Sequence, residues 1–142
     1  MNQIVKLGLA AVLGALAAGT VAYAQMPAGE PPHSTVTIYR AAPGQQEALL
    51  HWLADQDRVS QAAGLPAGQI YIHLDGDSWD FVGISPTPTP AQDEAIDAAA
   101  RKLGLTTGAR RALEFRKMIS SHTDTYALGP LTAAQAIASI GS

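Results

Sequence analysis

Hydrophobic and polar positions change period several times along this chain, and each change marks an element. Residues 34–41 (STVTIYRA) alternate, with Val36 and Ile38 on one side and Thr35, Thr37 and Tyr39 on the other. That pattern predicts a strand. Pro43-Gly44 stops it and opens a helix over 45–63, with Gly44 as N-cap and a stripe of Leu49, Trp52, Leu53 and Val59. Gly64 and Pro66 end that helix. Residues 69–74 and 79–85 flank Asp75-Gly76-Asp77-Ser78, a hairpin whose Asp-Gly pair suits the positive φ of a tight turn.

The second half returns to helical spacing. Residues 85–90 (SPTPTP) form a rigid connector, because proline cannot donate to a ladder. Thr89, Pro90 and Gln92 then read as N-cap, first helical residue and capping box. Ile96, Ala99, Ala100 and Leu103 supply that helix's apolar stripe, and Gly104 closes it. A further helix runs from Thr106 or Thr107 to about Ser120, burying Ala112, Phe115 and Ile119. Residues 123–128 (TDTYAL) read as a fourth strand, and Gly129-Pro130 breaks it. Thr132 with Gln135 caps a last short helix ending at Ile140.

The order β-α-β-β-α-α-β plus a C-terminal helix predicts an α+β fold of the ferredoxin-like, split βαβ type. It requires an antiparallel four-stranded sheet with helices on one face. The other face would be bare in a monomer, so pairing of two sheets is expected.

The segment before this domain has a different character. Residues 1–24 carry one early charge, Lys6, then an apolar run over 7–18, then Ala22-Tyr23-Ala24. This is the pattern of a cleaved signal peptide and not of a membrane anchor. It predicts export to a periplasmic or extracellular space. Residues 25–34 read as a flexible lead-in, 35–130 as the domain and 131–142 as the C-terminal helix. Cleavage would leave 118 residues, one domain by length.

Composition narrows the chemistry. The chain has no cysteine, which excludes disulfides, zinc–thiolate sites and cysteine nucleophiles. Its formal charge of −3 becomes −4 once Lys6 is removed. A mildly acidic chain has no footprint for nucleic acid. Arg110, Arg111, Arg116 and Lys117 surround Glu114 and read as a solvated helix face.

Candidate chemistry follows from the hairpin. A two- or four-residue loop puts Ile70, Ile72, Leu74, Trp79 and Phe81 on one face and Tyr71, His73, Asp80, Val82 and Ile84 on the other. A three-residue loop with a bulge would bring Trp79 and Phe81 beside Tyr71 instead. In the first register the wholly apolar face meets the helices. The second then carries Thr37, Tyr39, Tyr71, His73, Asp80 and Tyr126. With a four-residue loop His73 stands opposite Asp80, either as an ordinary cross-strand pair or as an oriented general base. Tyr39, Tyr71, His73 and Tyr126 are the candidate ligand-binding residues.

His73-x-Asp75 and His122-x-Asp124 each offer an N,O pair, since i and i+2 share a face of a strand. Asp75 belongs to a turn, and His122 and Asp124 fall at a helix-to-strand junction where both could cap. No third ligand is spaced to complete a metal site, so neither metal nor cofactor is expected. Trp52 and Trp79 read as core or interface anchors.

The strand VTIYRAAPG leading into a helix, the hairpin IYIHLDGDSWDFVGI and the late strand HTDTYALGP together resemble the dimeric α/β-barrel superfamily. That group contains antibiotic-biosynthesis-monooxygenase-like, EthD-like and NIPSNAP-like domains. The resemblance spans about residues 35–130 and implies a homodimer whose sheet face lines a cavity. It includes cofactor-independent monooxygenases, haem-degrading enzymes and isomerases, so it does not choose a reaction. No catalytic or haem-ligating motif of one branch matches, and no residue role is transferred.

The expected function is therefore an exported homodimer that binds a small apolar or aromatic molecule on the sheet face. A cofactor-independent monooxygenase or isomerase using His73, Asp80 and a tyrosine is the second reading. A non-catalytic structural or accessory protein is the third.

Overall fold

The computed structural model describes residues 32–140. The expected signal peptide and most of the lead-in lie outside the described residues. Within them the order is β1 (His33–Ala41), α1 (Gln46–Ala62), β2 (Gln69–Ile72), β3 (Phe81–Pro86), α2 (Pro90–Lys102), α3 (Gly108–Met118), β4 (Ile119–Leu128) and α4 (Ala133–Ile140). The strands form one sheet in the order β2-β3-β1-β4, with every neighbouring pair antiparallel. This is the ferredoxin-like α+β topology, with a doubled second crossover.

Local signals act as the sequence requires. Thr89 caps α2 by accepting from the Gln92 N–H, and the Gln92 side chain accepts from the Thr89 N–H at 2.8 Å. Thr132 and Gln135 make the same reciprocal pair ahead of α4. At the hairpin, Gly76 takes φ +117°, which an L side chain rarely adopts. The ladder pairs Ile72 with Phe81 and continues to His73, whose N–H donates to the Asp80 carbonyl at 3.0 Å. Residues 74–79 form the turn between them.

Several elements differ from the sequence-based reading: β2 stops at Ile72 and β3 begins at Phe81, short of the expected 74 and 79, and β3 runs on to Pro86, into the expected connector. The first helix begins after Gln45, not Gly44, and its N-cap makes no side-chain hydrogen bond. More consequential is β4, which starts at Ile119 where the sequence suggests helix to Ser120. Pairing with β1 overrides helical propensity there. A bulge at Arg40/Ala41 accommodates the pairing, and the Ser120 hydroxyl donates to the Arg40 and Ala41 carbonyls at 3.0 and 3.2 Å. His122 and Asp124 consequently stand inside a strand, not at a junction.

Burial concentrates on one side of the sheet. Ala41 and Phe81 pack with Leu49 and Leu53 of α1, and Tyr39, Trp52, Phe115 and Met118 close around them. A second cluster joins Val59 of α1 to Ala99 and Ala100 of α2, with Ile96 and Leu105 beside it. The small side chains of α2 let the two helices approach closely. Truncating Leu49, which is fully buried, would cost about 2–5 kcal/mol.

Candidate functional site

Directly opposed residues in a ladder share a face, so the register assigns each side chain. Tyr39 pairs with Phe81 and with His122; Thr37 pairs with Gly83 and with Asp124; Thr35 pairs with Tyr126. All of these join the helix-covered face, because Phe81 lies in the core. Val36 pairs with Ile84, Ile38 with Val82, and Val82 with Tyr71. Those residues, with His73 by alternation, form the face opposite the core.

Ile70, Ile72 and Phe81 share the helix side, as expected, but Leu74, 94% exposed, and Trp79, whose ring packs on His73, do not join them, because the ladder ends before the turn. The face of β1 is reversed, however. Tyr39 and Thr37 turn toward the helices, and Val36 and Ile38 turn away. The physical reason is Gly83. With no side chain there, the Tyr39 ring occupies the space over Gly83, where a Cβ would stand 3.0 Å from Tyr39 Cε2. The four sequence-derived binding residues are therefore split. Tyr39 and Tyr126 lie on the helix side, Tyr71 and His73 on the other. Tyr126 is 79% exposed and Tyr71 54% exposed, so neither is enclosed within one chain.

His73 and Asp80 stand opposite each other, joined through backbone atoms. The Asp80 carboxylate accepts instead from the Ala41 N–H at 2.7 Å, where it satisfies the backbone at the bulge. His73 packs against Trp79 with ring centroids 5.0 Å apart. Its Nε2 is buried without a hydrogen-bond partner among the described residues.

A different histidine–aspartate pair forms on the helix side. Asp124 Oδ2 lies 3.4 Å from His122 Nε2, and Asp124 Oδ1 accepts from the Thr37 hydroxyl at 2.8 Å. The His122 ring meets the edge of Phe115 at 5.1 Å. Phe115 also stacks on Trp52 at 4.8 Å and meets Tyr39 edge-on at 6.2 Å. One α3 side chain thereby links α1, β1 and β4. The i,i+2 spacing of His122 and Asp124 signals the pair; placing it on the helix side requires the early start of β4.

Two contiguous cavities open beside these rings. The first, about 270 Å³, lies between α1 and the β3 side of the sheet. Tyr39, Gly83, Leu53, Gln56, Asp57 and Ile96 line it, and Pro86 and Pro88 of the connector close one end. Asp57 holds the loop wall by accepting from the Gly68 N–H at 2.9 Å. The second, about 520 Å³ and more open, lies between α2 and α3 over Trp52 and Phe115. Asp93, Glu94 and Asp97 stand on its α2 side and Arg111 on its α3 side. Trp52, Asp93, Ile96 and Arg111 border both cavities.

The Tyr39 hydroxyl titrates above the ordinary tyrosine value of 10.0. Burial is the main cause; the Thr37 side chain opposes it, and the Asp124 and Asp57 carboxylates add to it. Tyr39 is therefore a neutral hydrogen-bond donor at the cavity wall near neutral pH. Among the described residues no group of three or more metal-ligating side chains is assembled. Nor is any described helix long and apolar enough to cross a membrane.

Sequence reasoning identified Tyr39 but not its neighbours Gly83, Phe115, Arg111 and Asp57. A lone glycine within a strand was the available sign, since it marks a close approach of another group.

No protein-family model matches the chain, and no curated protein matches it. The fold is that of solved structures. One is a crystal structure of a Pseudomonas aeruginosa protein, 17% identical, with a TM-score of 0.51, covering 71% of this chain and 96% of that one. A dimeric ferredoxin-like protein of unknown function from Thermobifida fusca is 11% identical, with a TM-score of 0.47 and coverage of 70% and 92%. A protein described as a candidate antibiotic biosynthesis monooxygenase from Chloroflexus aurantiacus is 22% identical, with a TM-score of 0.38 and coverage of 70% and 96%.

Proposed function

We propose that this is an exported, homodimeric small-molecule-binding protein whose ligand enters between the helices and the sheet. The observation that carries this reading is the pair of contiguous cavities walled by Tyr39, Trp52 and Phe115. Their volumes, about 270 and 520 Å³, reach the scale of ligand pockets. The aromatic walls suit a planar ring, and the Tyr39 hydroxyl supplies one directional donor.

The face opposite the core then serves for pairing. Val36–Ile84 and Ile38–Val82–Tyr71 make an apolar ladder across three strands, on the face opposite the Phe81 core. Two such faces packed together would remove that ladder from water. His73 and Tyr71 belong to this interface in the proposal.

Calorimetric titration with neutral 2-naphthylmethanol tests the binding reading. Wild-type protein takes up one equivalent per chain, and Trp52→Ala and Gly83→Leu each abolish uptake while Tyr71→Ala does not. Loss of uptake in Tyr71→Ala alone would move the site to the other face.

A catalytic reading rests on one observation, the 3.4 Å approach of His122 Nε2 to Asp124. A carboxylate so placed orients the imidazole for proton transfer. Phe115 meets the His122 ring edge-on and lines the cleft, whereas His122 is not among the cleft-lining residues.

A further inference from the structure

The charges around the open cleft indicate the class of ligand, an inference that rests on the binding reading above. The floor is the Trp52–Phe115 stack, with centroids 4.8 Å apart. Asp93 and Asp97 are one helical turn apart on α2 and present two carboxylates along the same edge of the cleft, with Glu94 beside them. Arg111 is the one cationic side chain among the lining residues.

Helix stability accounts for only part of this acidity. Asp93 lies in the first turn of α2, where a negative charge complements the helix dipole. Asp97 lies beyond that turn, where the dipole's influence has fallen off. Among the described residues none of Asp93, Glu94, Asp97 and Arg111 forms an ion pair. The carboxylates therefore border an aromatic-floored cavity with their charge uncommitted.

We propose that the cleft selects a planar aromatic molecule carrying a protonated amine. The ring lies against Trp52 and Phe115, and the ammonium sits between the ring faces and the Asp93 and Asp97 carboxylates. Cation–π attraction and the two carboxylates act in the same direction. An aryl carboxylate of the same shape would meet repulsion from that edge.

The test is calorimetry on the whole protein at low salt with three isosteric probes: 2-naphthylmethylamine, 2-naphthylmethanol and 2-naphthoate. The amine binds about ten-fold tighter than the alcohol, and the carboxylate binds weakest. In the Asp93→Asn/Asp97→Asn double variant the amine's advantage over the alcohol disappears, and an advantage that persists would overturn the assignment of these two carboxylates. Equal binding of all three probes would overturn the charge selection and leave the binding reading standing. A preference for the carboxylate would overturn it in the opposite sense. Failure of all three to bind would overturn both.

Discussion

The Tyr39 ring crosses the backbone of Gly83 so closely that a methyl group there would lie 3.0 Å from its Cε2 atom and 3.4 Å from Ile70 Cδ1. This contact sets the face of β1 and shapes the wall of the smaller cavity. Gly83→Ala should therefore lower stability, although alanine is less costly than glycine in a strand. The added methyl overpacks a ring already bounded by Phe115, at a cost of about 1–3 kcal/mol. Denaturant unfolding measures it, and a more stable variant would mean that Tyr39 moves aside freely.

Tyr39 should also give the protein a characteristic alkaline limb. Its folded-state value is raised, so the fold favours the protonated, neutral phenol. The corresponding stability is fully present below the unfolded value near 10 and is lost as pH rises through the folded one. Unfolding free energy should fall above about pH 10, and Tyr39→Phe should flatten that fall. A variant with an unchanged slope would show that another group titrates there.

The proposed assembly depends on the opposite face. Ile38 sits at the centre of the apolar ladder, paired with Val82 on one side and Thr123 on the other. Ile38→Asp places a charge where the proposed partner sheet packs, and desolvating it would cost several kcal/mol. Sedimentation velocity should show a dimer for wild type and a monomer for this variant. A monomeric wild type would refute sheet pairing.

Export is checked at the other end of the chain. Intact-mass analysis of protein recovered outside the cytoplasm should show a mature chain beginning at Gln25. Recovery of a chain that retains Lys6 in that fraction would refute cleavage after Ala24.

The elements and their antiparallel order follow from period, caps and the Asp-Gly turn, because these are local features. The Thr89–Gln92 box and the Thr132–Gln135 box are visible as residue pairs three apart. The hairpin register follows from keeping Ile70, Ile72 and Phe81 on one apolar face. The orientation of β1 does not, since Val36 and Ile38 look more like core than Thr37 and Tyr39 do. Hydrophobicity argues for the wrong face there, and the space over Gly83 outweighs it. The same non-local cause hides the candidate site. Trp52 and Phe115 are 63 positions apart and meet only when α1 and α3 pack together. The start of β4 is set by its pairing with β1, so the His122–Asp124 pair has no local signature beyond its spacing.

The central claim, that ligands bind on the helix side, is tested most directly by the two tryptophan indole N–H signals in a ¹H–¹⁵N spectrum. Trp52 borders both cavities, whereas Trp79 packs on His73 away from them. A Trp79→Phe variant assigns the pair. On titration with 2-naphthylmethanol the Trp52 signal should move and saturate at one equivalent per chain while the Trp79 signal stays in place. Movement of Trp79 with a stationary Trp52, or no movement of either, would contradict the account.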